Sequence, residues 1–177
     1  THVPHNVIHG GGGLVSRDFG GTTHQTDQVF EHNTLYLASG LGMSPTDAWS
    51  NGTFDDPKSI VFSNNIVVHD LASSSQENAT VVIGTYASDA LHDKTVPEVR
   101  FAKNCYFNLS GEPSFALFAA NGGNYESQGE LLTLAGWQAL GLDADSLNVD
   151  PGLVDPAGGN LEPAAPSPCA QMGAHAP

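Results

Sequence analysis

The sequence predicts an all-β protein, built as a parallel β-solenoid in which short strands of successive repeats lie side by side. Two observations lead to this fold class. A short pattern with a central Asn occurs four times along the chain, and the 177 residues include 20 glycines. Recurrence at a period of roughly 20 to 50 residues is typical of repeat architectures, and frequent glycine disfavours long helices.

Each occurrence of the pattern has an apolar residue three positions before the Asn and another apolar residue two positions after it. Successive Asn residues are 27, 32 and 39 residues apart, so the core recurs while the intervening segments vary in length. The four residues are Asn6, Asn33, Asn65 and Asn104.

The apolar residues around each Asn indicate two strands joined by a one-residue bend. Ile60 and Phe62 alternate with the period of a strand, whereas Val67, after Asn65, has the opposite parity. A bend that changes parity requires a left-handed backbone conformation, which Asn tolerates well. We therefore predict that each Asn makes the bend and that the Asn side chains stack in a hydrogen-bonded ladder.

The segments between the repeats are polar and rich in Gly and Ser, so we predict long lateral loops that build a groove. Residues 1–130 are interpreted as the β-helical part with these loops, and residues 131–177 as a C-terminal helix and capping tail of the same domain. Because the chain opens within a repeat, we expect an N-terminal chain or a neighbouring subunit to complete the solenoid.

A short helix is predicted over 133–141, because Leu134, Trp137 and Leu140 recur every third residue. Thr133 stands at the N-cap position and Gly141 at the point where a helix would stop. We expect the apolar face of this helix to cover the last strands, whose edges would otherwise be exposed.

The charge of the chain argues against two classes of partner. Five Lys and Arg residues stand against 19 Asp and Glu residues, a net charge of −14. Nucleic-acid binding needs clustered cations to neutralise phosphates, so we expect no nucleic-acid partner. The same excess of acid, and apolar stretches much shorter than the roughly 20 residues of a membrane span, lead us to expect no membrane partner.

The cysteines and the glycosylation patterns leave alternatives open. Cys105 and Cys169 fit either one disulfide bridge or two separately buried thiols. Segments starting at Asn51, Asn78 and Asn108 match the acceptor pattern for N-linked glycans, which would place them in exposed loops.

The tail also carries Trp, Gly, Asp, Ser and Pro residues at a distinctive set of spacings: Trp137, Gly141, Asp143, Ser146, Asp150, Pro151, Val154, Asp155, Ser167, Pro168 and Gly173. In these residues the chain resembles the C-terminal part of bacterial secreted right-handed parallel β-helix proteins, many of which are polysaccharide lyases or glycoside hydrolases. The resemblance implies a right-handed parallel β-helix with a short C-terminal helix and an extended capping tail, and a secreted location. Gly136, where such tails often carry an acidic residue, and Cys169, in place of a small residue, depart from it.

The densest group of ionisable side chains falls in the first repeat and the segment after it. Glycoside hydrolysis needs two carboxyl groups beside the scissile bond, and Asp18 and Asp27 are the candidates. A lyase needs a base, for which His24 or Arg17 is a candidate, and a cation that neutralises the substrate carboxylate, for which Arg17 is a candidate. Bound Ca²⁺ is an alternative neutralising group, which the scarcity of Lys and Arg favours.

Four further residues are candidates for binding a sugar. Trp49 lies in an acidic segment with Asp55, where an aromatic ring can stack on a sugar ring. His32 and His69 lie in or beside strand segments and are candidates for the groove wall. Each of these residues also has an ordinary structural interpretation, as a solvated loop side chain, an anchor for a loop or a hydrogen-bonded core histidine.

These observations predict an extracellular carbohydrate-active enzyme, a polysaccharide lyase or glycoside hydrolase, that cleaves its substrate in a lateral groove. The chain would then be the C-terminal piece of a longer enzyme. The alternative is a non-catalytic extracellular solenoid, such as an adhesin, a surface-layer component or a filament subunit, and a third option is a carbohydrate-binding module. Assembly state and the release of sugar products distinguish these functions.

Overall fold

The computed structural model describes residues 2–11, 14–18, 26–38, 41–45, 58–72, 79–85, 99–119 and 131–176. The strands in this part of the chain, in order, are β1 (His2–Pro4), β2 (Val7–Gly11), β3 (Leu14–Asp18), β4 (Thr26–Glu31), β5 (Thr34–Ala38), β6 (Leu41–Pro45), β7 (Lys58–Ser63), β8 (Ile66–His69), β9 (Val81–Thr85), β10 (Val99–Ala102), β11 (Cys105–Asn108), β12 (Phe115–Ala119), β13 (Leu131–Leu132), β14 (Leu147–Asn148), β15 (Leu153–Asp155) and β16 (Asn160–Pro163). The described helix, α1 (Leu134–Ala139), follows β13.

Most of these strands belong to three parallel sheets. Sheet A has the order β1-β4-β7-β10, sheet B the order β2-β5-β8-β11-β14, and sheet C the order β3-β6-β9-β12, with β13 antiparallel to β12 at its end. Three consecutive strands, one in each sheet, form a repeat: β1 to β3 are repeat 1, β4 to β6 repeat 2, β7 to β9 repeat 3 and β10 to β12 repeat 4. Equivalent residues of successive repeats are therefore direct neighbours.

The predicted Asn ladder is confirmed. The Nδ2 atom of Asn6 donates to Oδ1 of Asn33 at 2.9 Å, Asn33 donates in the same way to Asn65 at 3.0 Å, and Asn65 to Asn104 at 3.0 Å. The three later amides are completely buried. Buried amides are stable only when their hydrogen bonds are satisfied, and the ladder meets that requirement.

The predicted position of the bend is wrong by one residue. The left-handed residues are those just before the ladder Asn residues, with φ of 52° at His5, 51° at His32, 54° at Asn64 and 53° at Lys103. Asn6, Asn33 and Asn65 each direct both the backbone N–H and Nδ2 at one acceptor in the next repeat, and Asn104 donates to Ser146 Oγ and Phe62 O. These hydrogen bonds constrain the conformation of the Asn, so the preceding residue makes the bend.

The core lies between the three sheets and contains residues from each. Phe30, Phe62 and Phe101 occupy equivalent positions in sheet A, and their rings stack with centroid distances of 4.8 and 5.1 Å. Leu35 of sheet B and Phe115 of sheet C belong to the same apolar cluster. Burial of these side chains stabilises the repeats by roughly 1.5 to 3 kcal/mol for each large side chain.

The predicted helix is confirmed as α1. The Oγ1 atom of Thr133 accepts a hydrogen bond from Gly136 N at 3.2 Å, and Gly141 has a φ of +80° just after the helix. Trp137 is completely buried and packs with centroid distances of 5.7 Å on Phe101 and 5.6 Å on Phe115. Leu140, expected on the same covering face, is instead 55% exposed.

The tail after β14 folds back over the outer face of sheet B. A disulfide joins Cys105 of β11 to Cys169, with a Cα to Cα distance of 6.0 Å. Of the two alternatives, one disulfide or two separate thiols, the structure has the disulfide. Further along, Gly173 N donates to Asn64 O at 2.7 Å, and Ala174 N donates to Thr34 Oγ1 at 2.9 Å. His5 Nδ1, between β1 and β2, also lies 3.3 Å from the carbonyl oxygen of Ala174, so the tail reaches from repeat 4 to repeat 1.

The structure corrects the predicted fold class. In place of a right-handed parallel β-helix forming a single solenoid, the described residues form separate parallel sheets with little helix. The sheets are separate because each strand pairs with strands at the same position of other repeats, and the left-handed residue ends one sheet before the next begins. The tail is not purely extended either, because β15 and β16 pair in an antiparallel two-stranded sheet.

Candidate functional site

A groove with a volume of about 190 Å³ lies between the outer face of sheet B and the returning tail. One wall comes from the strands and the turn after β11, and the other from residues 150–156 of the tail. The lining residues are Tyr36, Val68, Phe107, Leu109, Asp150, Pro151, Gly152, Leu153 and Pro156.

The floor of the groove belongs to a row of outward side chains at one register position of sheet B. His9, Tyr36, Val68 and Phe107 are direct neighbours in consecutive strands. Since parallel strands are about 4.8 Å apart, the row is about 14 Å long. The rings of His9 and Tyr36 contact each other with a centroid distance of 5.4 Å. The row thus contains three ring side chains, with Val68 between Tyr36 and Phe107, and both of these rings are partly buried against the tail.

The opposite wall is held in place by hydrogen bonds of the tail. Asp150 is exposed, and its Oδ1 accepts from Gly152 N at 2.8 Å. The carbonyl of Pro151 accepts from Ser167 Oγ at 2.7 Å, and the carbonyl of Gly152 accepts from Ala164 N at 2.8 Å. The wall therefore places one carboxylate at a braced position beside the rings.

The rim of the groove near β11 is polar and acidic around one apolar side chain. Leu109 is 50% exposed. Its neighbour Ser110 donates a hydrogen bond to Oδ1 of the exposed Asp70. A ligand in the groove would meet rings on the floor and hydrogen-bond acceptors at the edge.

The predicted catalytic residues are only partly described. Arg17 and Asp18 are the last residues of β3, opposite Ser44 and Pro45 of β6. Asp27 is the second residue of β4. Arg17 and Asp18 thus lie at the end of β3 in sheet C, and Asp27 lies near the start of β4 in sheet A. His24, and with it Trp49 and Asp55 of the predicted binding residues, lie outside the described residues.

The two remaining candidates are described and lie away from the groove. His32 is the left-handed residue before Asn33, and its ring stacks on His5 with a centroid distance of 5.1 Å. His69, at the end of β8, is 1% exposed, and neither ring nitrogen has a hydrogen-bond partner in the described part of the chain. Burial lowers the pKa of His69 from 6.5 to about 4, so its imidazole is neutral at pH 7.

The groove residues Tyr36, Phe107 and Asp150 were not predicted from the sequence. A signal for two of them exists, because Tyr36 and Phe107 each follow a ladder Asn by three positions, as His9 also does. That position has the parity of the outer face. Asp150 carries no such signal, since the folding back of the tail brings it to sheet B.

One of the three matches to the glycan acceptor pattern lies in the described part of the chain. Asn108 is buried rather than exposed, and its Nδ2 donates to the carbonyls of Leu71 and Glu112 at 2.9 and 3.2 Å. In the folded chain this amide is therefore engaged within the structure and not displayed in an exposed loop. The other two acceptors, Asn51 and Asn78, lie outside the described residues.

Metal-ligand clusters and membrane-spanning helices are both absent from the described part of the chain. There, no three His, Cys, Asp or Glu side chains come together as metal ligands. No described helix has the length and apolar character that crossing a bilayer requires. The predicted Ca²⁺ was attributed to acidic loops, and Asp55 of those loops lies outside the described ranges.

Comparison with known proteins gives no relative from which a function can be transferred. No protein-family model matches the chain, and neither the curated proteins nor the solved structures compared with it give a match. The function is therefore inferred from the groove itself.

Proposed function

We propose that this chain is an extracellular carbohydrate-active protein that binds a polysaccharide along the groove between sheet B and the tail. The observation that carries the proposal is the presence of two aromatic rings in the groove, Tyr36 and Phe107 on either side of Val68, next to the exposed carboxylate of Asp150. Sugar rings have apolar C–H faces that pack on aromatic rings and hydroxyl rims that donate to carboxylates. An open groove suits a chain that extends beyond its ends.

The charge of the protein narrows the proposed glycan to a neutral or amino-sugar polymer. With a net charge of −14 and Asp150 in the groove wall, the protein repels polymers rich in uronate or sulfate. A protonated amino sugar would instead pair with the carboxylate. The proposed order of affinity is therefore amino-sugar or neutral polymer above acidic polymer.

The disulfide supports the extracellular part of the proposal. Cys105 and Cys169 are both completely buried and bonded to each other. Disulfides of this structural kind persist in oxidising compartments and are rare where thiols are kept reduced.

Binding is tested with soluble glycan chains from three classes: neutral, amino-sugar and uronate polymers. We expect the neutral or amino-sugar class to bind, and Tyr36→Ala and Phe107→Ala each to weaken binding about tenfold in calorimetric titration. Leu140→Ala is the matched control, because Leu140 is 55% exposed at the helix, away from the groove. Absence of binding in all three classes, or equal losses in the control, contradicts the proposal.

Cleavage of a polysaccharide, by a lyase or hydrolase reaction, is a second candidate function, at residues that do not line the groove. It rests on the residue types, because glycoside hydrolysis takes two carboxyl groups and the candidates are Asp18, the last residue of β3, and Asp27, the second residue of β4. On a neutral glycan the reaction would be hydrolysis, which takes two carboxyl groups.

The cleavage assay follows new reducing ends beside the absorbance of unsaturated uronates. We expect the double variant Asp18→Asn, Asp27→Asn to abolish turnover while glycan binding in the groove is retained. Unchanged turnover in this variant contradicts the assignment of the two carboxyl groups. Binding without any product identifies a non-catalytic binding protein.

A further inference from the structure

The three parallel sheets all end at a strand of repeat 1. In the described part of the chain, β1, β2 and β3 have a neighbouring strand on one side only. We call these three strands together with Asn6 the open edge. Unpaired strand edges expose backbone hydrogen-bonding groups that can pair with another segment.

The opposite end of the repeats is closed by side chains of the tail. Asn104 N donates to Ser146 Oγ at 2.6 Å, so a hydroxyl takes the place of a fifth amide in the ladder. The indole of Trp137 covers Phe101 and Phe115. The two ends of the described repeats therefore differ, and the open edge alone has the groups of an interior repeat.

At the open edge of the described repeats, the side-chain oxygen Oδ1 of Asn6 lacks the two donors that the same atom has in the other ladder residues. In each of Asn33, Asn65 and Asn104, Oδ1 accepts from both the backbone N and the Nδ2 of the preceding Asn, at 2.9 to 3.0 Å. Asn6 is exposed, and its Oδ1 has no such donors among the described residues.

The backbone and the interior side chains of repeat 1 show the same incomplete pairing. Thr34 N and Ile66 N each donate to the carbonyl of the ladder Asn in the preceding repeat, at 2.9 and 2.8 Å. Val7 is their equivalent in β2, and by the alternation of a parallel ladder its N–H points toward the open edge. Val3 and Ile8 continue the interior rows of the core but are only partly buried.

The hydrogen-bonding pattern determines which partner fits. The Nδ2 of Asn6 already donates to Pro4 O at 3.0 Å and to Asn33 Oδ1 at 2.9 Å, so Asn6 has only acceptor capacity left. Two copies meeting edge to edge would bring two acceptors together. A second copy stacking by its other end is blocked by Ser146 and Trp137.

We propose that the open edge binds a parallel strand segment that carries an Asn at the ladder position. Such a segment supplies the backbone N–H and Nδ2 donors for Asn6 Oδ1, a backbone carbonyl for Val7 N, and an apolar side chain to cover Val3. Addition of a strand to an exposed sheet edge is an established mode of polypeptide recognition, in which backbone bonds give affinity and side chains give specificity.

The test supplies the segment in a defined form. Residues 26–38, which contain Asn33, are duplicated and fused upstream of the full chain through a flexible Gly/Ser linker, which gives a high effective concentration. The matched control carries Ala in place of that Asn in the appended copy. Hydrogen exchange of the Val7 amide and the thermal unfolding midpoint are measured in both fusions and in the original chain.

We expect the Val7 amide to exchange at least about tenfold more slowly in the Asn fusion than in the Ala fusion, with a higher unfolding midpoint. Equal exchange in the two fusions overturns the proposal. Slow exchange of Val7 in the original chain also overturns it: as a monomer this means that another part of the chain covers the edge, and as a dimer in light scattering that two copies pair there.

Discussion

At the scale of single residues, the ladder amides differ in how much hydrogen bonding each one holds. The Nδ2 of Asn65 donates to Phe30 O and Asn104 Oδ1, and its Oδ1 accepts from the backbone and side chain of Asn33. All of these bonds are buried. Asn6 makes fewer hydrogen bonds and is exposed to solvent. Water can therefore replace the hydrogen bonds that are lost when Asn6 is substituted.

The first prediction compares these two positions. Asn65→Ala leaves buried donors and acceptors of Asn33, Asn104 and Phe30 without partners, and we expect the free energy of unfolding to fall by about 3 kcal/mol or more. For Asn6→Ala we expect a loss of about 1 kcal/mol. Urea unfolding followed by circular dichroism measures both. Similar losses at the two sites would show that the ladder contributes nothing beyond a local turn.

At the scale of elements, the tail after β14 is held to sheet B by a close contact at Gly173. This glycine has a φ of +78°, and a Cβ at its position would lie 2.5 Å from Thr34 Oγ1 and 2.7 Å from Ile66 Cδ1. Any side chain would therefore push the tail away from the sheet. Gly159, with a φ of +87°, has open space where a methyl group would lie and shares only the backbone conformation.

The second prediction uses this pair of glycines. Gly159→Ala should lower the free energy of unfolding by about 1 kcal/mol, through the left-handed conformation alone. Gly173→Ala should lower it by about 2 kcal/mol more, because the contact with β5 and β8 is also lost. Thermal and urea unfolding give both values. Equal effects would show that the end of the tail does not pack on sheet B in solution.

The third prediction concerns the disulfide between β11 and the tail. The bridge closes a loop with a sequence separation of 64 residues, for which loop-closure entropy gives a stabilisation of about 4 kcal/mol. The double variant Cys105→Ala, Cys169→Ala should lose stability of that order, and its groove should bind glycan more weakly because the tail forms one wall. Unfolding curves and glycan titration test this. Unchanged glycan affinity in this variant would show that the tail is not part of the binding site.

At the scale of the whole molecule, two buried groups respond to pH in opposite directions. Burial lowers the pKa of His69 to about 4, whereas burial raises the pKa of Asp143 to about 6 despite its hydrogen bonds with Ser146 and Tyr106. Their ordinary values are 6.5 and 3.8. As pH falls from 6.5 to about 4, the free energy of unfolding falls, because the unfolded chain protonates His69 before the folded protein does. As pH falls from about 6 to 3.8, the free energy of unfolding rises, because the folded protein protonates Asp143 before the unfolded chain does.

The fourth prediction separates these two effects, which largely cancel in the unchanged protein. Relative to that protein, His69→Leu should gain stability on acidification from pH 6.5 to 4, and Asp143→Asn should lose it, by roughly 3 kcal/mol each. Urea unfolding at half-unit steps of pH measures the difference. Parallel pH profiles for all three proteins would show that neither side chain is buried in solution as described.

The features predictable from the sequence are those that a local pattern, or the repetition of one, determines. The Asn ladder follows from four copies of one pattern, because a buried amide needs an equivalent amide in the next repeat. The helix follows from Thr133, the spacing of Leu134 and Trp137, and Gly141. The outward direction of Tyr36 and Phe107 also follows from their position three residues after a ladder Asn, but the sequence alone did not indicate that they line a groove.

Other features depend on contacts between distant segments, which no local pattern contains. The sequence left the pairing of Cys105 and Cys169 open, placed the left-handed bend on the wrong residue, and indicated one solenoid where the strands form separate sheets. The Asn side chain was expected to tolerate the bend, but its bonds to the next repeat decide its conformation. The pattern at Asn108 indicated an exposed loop, and His69 was a candidate either for the groove wall or for a hydrogen-bonded core histidine, whereas the packing of repeats buries both.

The sequence by itself determined the repeat, the ladder, the short helix and the strongly acidic charge, because periodicity, capping residues and charge are properties of the chain as written. Only the tertiary structure decided the groove, since Asp150 reaches Tyr36 and Phe107 through the return of the tail across sheet B. The same holds for the open edge, where the free acceptor capacity of Asn6 is defined by hydrogen bonds that its equivalents make across repeats about 30 residues apart.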